Sequence, residues 1–179
     1  MFNNIAFVGG IHGVGKSTMC KRICADLNIN YLSASDVLQW ANIKLNHKDK
    51  KVDDIGLTQD RLINGLRDVI DLDEYYLLDG HFCLLNKNNE IFNIPIETFK
   101  AIDPTSLTVV IGVIEDIKDR LETRDKIQYS ISLLQDMQNS EVEHATTLSK
   151  LLKKPITIGS QNDYLSMLTA IKVSLKGKL

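Results

Sequence analysis

No run of apolar residues in this chain approaches the ~20 needed to cross a bilayer, so no membrane-spanning segment is expected. The opening Met1-Phe-Asn-Asn lacks the basic start and the apolar stretch of a secretory signal. Both absences predict a chain that works in the cytoplasm. Cysteine is sparse and odd in number, three in all, at spacings that suit neither zinc nor a disulfide framework. Cys20 and Cys24 fall on the apolar stripe of a predicted helix and Cys83 lies in an apolar segment, so buried, reduced thiols are expected. An excess of charge of one sign is missing as well. A net charge of −2 gives no electrostatic footprint for nucleic acid. Internal repeats, linkers and low-complexity tracts are absent, so the 179 residues read as one domain, 1–179. With 44% apolar and 25% charged residues, that domain has the composition of an ordinary globular core and surface.

What is present is concentrated near the start. Gly10-Ile-His12-Gly13-Val14-Gly15-Lys16-Ser17-Thr18 fits the phosphate-loop pattern G-x-x-x-x-G-K-S/T at every fixed position. Its context fits too. Ile5-Ala-Phe-Val8 before it reads as a buried strand, and Cys20, Ile23, Cys24 and Leu27 after it recur at helical spacing. A strand, a glycine loop and a helix start aim successive backbone N–H groups at one anion, and the helix dipole favours negative charge there. Lys16 can reach the β- and γ-phosphates of a nucleotide, and the Ser17 hydroxyl can ligate Mg²⁺. His12 occupies a variable position, where it can shape the loop or donate to a phosphate.

Further along, strand-like runs alternate with helical patterns, which predicts a parallel sheet covered by helices. Strands are expected at about 4–8, 29–32, 75–78, 107–114 and 155–158. Helices are expected at about 16–27, 35–45, 57–72, 95–101 and 164–175. Ser35 or Asp36 and Asp116 are the expected caps of the helices that follow them. Residues 127–152 have a helical pattern with a polar break near Asn139, where Ser140 and Glu143 have capping-box spacing, so two helices are expected there. Residues 46–54 read as a polar loop and 86–89 as a turn.

Asp79 ends the apolar run Tyr75-Tyr-Leu-Leu78, which places it at the carboxyl edge of a parallel sheet, where ligands bind. A carboxylate there can hold Mg²⁺ beside Ser17. The next residues are informative by what they are not. Gly80-His81 stands where motor ATPases place a water-orienting glutamate, and Phe82 stands where switch GTPases need glycine. Asn86-Lys-Asn-Asn89 lacks the aspartate of a guanine-reading signature, and the chain is too short for the helical lid of ring ATPases. Phosphoryl transfer between small molecules is therefore expected.

Arg120 and Arg124, four apart after the fourth strand, share a helix face. Like charges at that spacing repel by about 0.2–0.5 kcal/mol, a cost that a bound anion reverses. Their planar forks can hold phosphate oxygens bidentately. On the acceptor side, Asp36, Lys51 of the polar loop and His81 are the candidate contacts. His81 is also a possible general base for a hydroxyl acceptor. Trp40, the one tryptophan, can stack on a base or pack on the core rim.

The phosphate loop, the Leu-Leu-Asp79-Gly-His81 strand end, Ile94-Pro95, residues 107–114 and Arg120-x-x-x-Arg124-Asp125 come in an order that resembles nucleoside monophosphate kinases. The likeness is closest to archaeal-type adenylate kinases, with related small ATP-binding kinases of the AAA kind beside them. Glu141-Val-Glu-His-Ala145 resembles the helix before their last strand. The resemblance implies a three-layer α/β P-loop NTPase fold, with a five-stranded parallel sheet and helices on both faces. It also implies an acceptor-side insert at about 35–72 and a short lid at about 120–130. ATP and Mg²⁺ follow from it, with transfer to a nucleotide-like or other small-molecule acceptor. Lys16, Asp79, Arg120 and Arg124 would be catalytic, and Ser17 with Asp79 would hold the metal. The chain departs from that family in three places: Asp36-Val-Leu-Gln-Trp40 has no acceptor-clamping arginine, the proline-rich acceptor segment is reduced to one proline, and the lid is short. The alternative expectation is a partner-gated ATPase module without a small-molecule acceptor.

Overall fold

Ile5-Ala-Phe-Val-Gly9 forms strand β1, and all five residues are buried. A strand sends alternate side chains to opposite faces. Ala6 and Val8 accordingly join one apolar cluster, while Ile5 and Phe7 join another. A strand that is apolar on both faces fits a sheet covered on both sides. The computed structural model describes residues 2–44, 55–86 and 90–176. After β1 come α1 (Lys16–Leu27), β2 (Asn30–Ser33), α2 (Ala34–Lys44), α3 (Ile55–Val69) and β3 (Tyr76–Asp79). Then follow β4 (Cys83–Leu85), β5 (Ile91–Asn93), α4 (Ile96–Ile102), β6 (Ser106–Val110) and α5 (Ile114–Asp125). The chain continues through α6 (Ile131–Leu152), β7 (Ile156–Gly159), a 3₁₀ turn at Gln161–Asp163 and α7 (Tyr164–Lys176).

Five parallel strands lie in the order β2-β3-β1-β6-β7. This is the expected three-layer α/β P-loop fold. Helices α1, α5 and α7 bury Ile23, Ile117 and Ile171 against one face. Helices α2, α3 and α4 bury Val37, Leu66 and Phe99 against the other. Phe7, Phe82 and Phe99 pack ring to ring with centroids 5.0–5.6 Å apart, in the range where edge and offset contacts are favourable. Among the described residues no helix is long and apolar enough to cross a membrane.

Several expectations need correction. The fourth sheet strand ends at Val110 rather than at residue 114, and Ile114 opens α5 with Val113 as its cap residue. Gly112 turns the chain there, its N–H and C=O both bonded to the Gln138 amide at 2.8 and 3.1 Å. Asp116 therefore lies within the first turn of α5 and does not cap it. Likewise α2 begins at Ala34, which puts Ser35 and Asp36 inside the helix. Residues 131–152 form one unbroken helix of 22 residues, capped by Ser130, whose hydroxyl accepts from the Leu133 N–H. Ser140 and Glu143 start nothing, because apolar Met137, Ala145 and Leu148 keep one buried stripe running past them. A small antiparallel hairpin, β4–β5, is an addition to the expected elements, and the turn expected at 86–89 lies, from residue 87 on, outside the described residues. The polar loop 46–54, Lys51 with it, and the side chain of Trp40 lie outside the described residues.

Candidate phosphate and acceptor site

The phosphate loop joins the carboxyl end of β1 to the start of α1, and its backbone requires glycine. At Gly10, φ is +145° and a Cβ would stand 2.5 Å from the Val110 carbonyl oxygen. Gly15 caps α1 at φ +90°, and a Cβ there would collide with the Gln161 amide and approach Arg120 Nη1 to 3.5 Å. The Arg120 guanidinium thus stands over the loop, with its Nε donating to the Asp116 carbonyl at 2.9 Å. Gln161 Nε2 donates to the Val14 carbonyl at 3.1 Å and ties the segment before α7 to the loop.

Register brings the charged centre together. In the sheet Asp79 lies opposite Val8 on one side and Ser33 on the other, at the carboxyl edge. Its carboxylate is paired with the buried Lys16 ammonium. It also accepts from Ser17 Oγ at 2.6 Å and from the Tyr31 hydroxyl at 2.9 Å. Burial pushes the Asp79 pKa up, but Lys16, Ser17 and Tyr31 outweigh it and hold the carboxyl below its ordinary value. Burial, and then the same carboxylate, raises the Tyr31 pKa.

His12 and His81 meet over the loop with ring centroids 4.3 Å apart. Crowding in the cleft, then His81, Lys16 and Arg124, lower the His12 pKa to about 4, although one edge of the residue stays open to solvent. His81 Nδ1 lies 3.4 Å from Glu141 Oε1, outside good hydrogen-bond geometry. Glu141, fully buried on α6, accepts from the Phe82 and Cys83 N–H groups at 2.9 and 3.4 Å. Arg124 is exposed and grips Asp125 with two hydrogen bonds of 2.5 and 2.8 Å, while the Tyr129 hydroxyl bonds the same carboxylate at 2.6 Å.

A cavity of about 300 Å³ opens beside this centre. Asp79, His81, His12 and Ser17 line it on the loop side. Gln59, Leu62, Thr98 and Phe99 line it from α3 and α4, and Ser33 and Ser35 add hydroxyls. Asp36 is exposed and is not part of the lining, one residue after Ser35, so the structure does not bring it to the cavity.

Residues 9–138 match the family described as the AAA domain. The chain belongs to that family. No curated protein matches it. Among solved structures, this AAA domain is similar to a gluconokinase from Sinorhizobium meliloti 1021, at 13% identity and a TM-score of 0.57, over 98% of this chain and 93% of that one. It is also similar to an uncharacterized protein from Eubacterium ventriosum ATCC 27560, at 14% identity and a TM-score of 0.54, over 98% of this chain and 99% of that one. These likenesses are of fold, that of a small P-loop kinase.

Sequence reasoning passed over four residues of this AAA domain's cleft: Tyr31, Gln59, Glu141 and Gln161. Glu141 had a signal, since it is a carboxylate at the centre of the stripe Leu134, Met137, Ala145, Leu148. Gln59 and Gln161 had none, as each is placed by tertiary contact.

Proposed function

We propose that this AAA domain transfers the γ-phosphate of Mg-ATP to a nucleotide or other small-molecule acceptor, in the cytoplasm, where its three buried thiols stay reduced. One observation carries the reading: the Asp79 carboxylate borders both the phosphate loop and the 300 Å³ cavity. Donor and acceptor phosphoryl sites are thereby adjacent. Ser17 and Asp79 present hard oxygen donors, the type Mg²⁺ takes, and would hold the ion. The ion supplies neutralisation of charge on the phosphate oxygens.

The chain's own groups do the rest by position and charge. Loop amides from Gly10, Gly13, Val14, Gly15 and Thr18 cradle the phosphates at the start of α1. Lys16 trades its ion pair with Asp79 for the β- and γ-phosphate oxygens. Arg120, already over Gly15, faces the transferred group, and Arg124 joins it by releasing Asp125. In the transfer step the acceptor hydroxyl oxygen bonds to the γ-phosphorus. The bond from that phosphorus to the bridging oxygen breaks and leaves its electron pair on ADP. The hydroxyl proton passes to His81, which lines the cavity.

Calorimetry with ATP and Mg²⁺, together with ADP release in the presence of acceptors, tests this. Lys16→Ala is expected to leave the fold intact and to lower transfer by on the order of 10²–10³. Unchanged turnover would refute its role. Slow hydrolysis indifferent to every acceptor would instead favour the partner-gated ATPase.

A further inference from the structure

The cavity wall is unlike a pocket for an anion. Its larger part is apolar, from Phe7, Leu38, Leu62, Leu84, Phe99 and Ile102. Among the described residues that line it there is no lysine and no arginine, and its one carboxylate, Asp79, is already bound to Lys16. From these described residues a phosphate or carboxylate gains no counter-charge for the hydration it loses, which costs more than it returns. The wall does hold an unmet polar group. Gln59 is 7% exposed, and its Oε1 accepts no hydrogen bond. Buried amide oxygens are almost always partnered, so this one, closed off as the side chain stands, would take a donor when the side chain turns toward the cavity. An amide side chain presents an acceptor and a donor side by side, the arrangement that reads the edge of a nucleobase. Phe99 and Leu62 beside it offer the apolar surface a base ring prefers. The volume, at the small end for ligand pockets, leaves room for a sugar but little more.

We propose that the acceptor is an uncharged nucleoside, read at its base by Gln59 and phosphorylated on a sugar hydroxyl that faces Asp79 and His81. This rests on the phosphate loop being the ATP site and narrows the acceptor from small molecules at large to nucleosides. The step is the one already balanced: the sugar oxygen gains the γ-phosphoryl group, ADP leaves with the bridging electron pair, and the hydroxyl proton goes to His81. Nucleoside and ATP thus give ADP and the nucleoside monophosphate, which a following kinase would consume.

The test uses the full chain with Mg-ATP and three sets of acceptors: the four common ribonucleosides, their 5′-monophosphates, and gluconate. ATP binding is measured separately by calorimetry. The expected result is transfer to at least one nucleoside with kcat/KM about tenfold or more above its monophosphate and above gluconate. Gln59→Leu is expected to raise the nucleoside KM about ten- to a hundredfold while ATP affinity and thermal midpoint hold. Gln59→Met repeats the measurement if the leucine variant does not fold. If ATP binds but a monophosphate or gluconate is the better acceptor, or no nucleoside is phosphorylated, or both Gln59 variants keep the wild-type KM, the nucleoside assignment falls alone. If ATP does not bind, the phosphate-site reading falls and takes this proposal with it.

Discussion

His12 shows how far one residue's chemistry departs from its type. The motif gives it a variable position in the loop, and nothing in the spacing shows that His81 would lie against it. In the fold its pKa is lowered to about 4 by crowding, then by His81, Lys16 and Arg124, so the ring is neutral at pH 7. A titration of the histidine ring signals by NMR is expected to find a midpoint near 4 for His12. A midpoint at the ordinary value, about 6.5, would contradict the packing described. Since the folded value is the lower one, the unfolded chain takes up the extra proton between about pH 6.5 and pH 4. The ring's contribution to stability is therefore present above pH 6.5 and is lost as pH falls toward 4. ATP in the loop is expected to raise the midpoint, because its phosphates offset the lysine and arginine charges. Lys16, Ser17 and Asp79 were all legible as a set, because a fixed pattern and a strand end place them. The role of Tyr31 was not, because it depends on the register of β2 against β3.

At the scale of elements, the sheet strands and most helices followed from apolar period alone, while their ends did not. The strand expected to reach residue 114 stops at Val110, because Ile111 to Val113 are apolar in a loop that Gln138 holds from another helix. Helices α1, α4, α5 and α6 end on Asn28, Asp103, Lys126 and Lys153, all left-handed at φ 51–61°, so the glycine that usually marks a helix end is missing. The β4–β5 hairpin escaped because three-residue strands carry too little period to read. What holds that hairpin to the sheet is a helix, through Glu141 on α6. Glu141→Leu strands two buried N–H groups, each worth about 1–3 kcal/mol. Urea unfolding is expected to show a loss of roughly 2–6 kcal/mol on that basis, with Glu141→Gln losing less because it keeps a carbonyl acceptor. A loss under about 1 kcal/mol would mean the clamp contributes little.

At the scale of the whole molecule, the loop joins parts distant in sequence. Gln161 ties the segment before α7 to Val14, and Arg120 reaches from α5 over Gly15. A ligand in the loop therefore stabilises the whole chain, not one corner of it. ATP with Mg²⁺ at about a hundred times its Kd is expected to add ~2.7 kcal/mol. For a chain of this size that raises the thermal midpoint by roughly 5–11 °C. Scanning calorimetry with and without nucleotide measures it, and an unmoved midpoint would mean that the folded form does not take up ATP.

The position of β1 at the centre of the sheet has a consequence for how this protein is made. It is synthesised ahead of both its neighbours: Ile5 has no mate until Tyr76 is made, and Ala6 has none on its other edge until Ser106. A growing chain therefore carries a fully apolar strand with both edges open until β3 is made and with one edge still open until β6 is made. The strand that leads into the phosphate loop is thus the part most in need of chaperone cover while the nascent polypeptide lengthens.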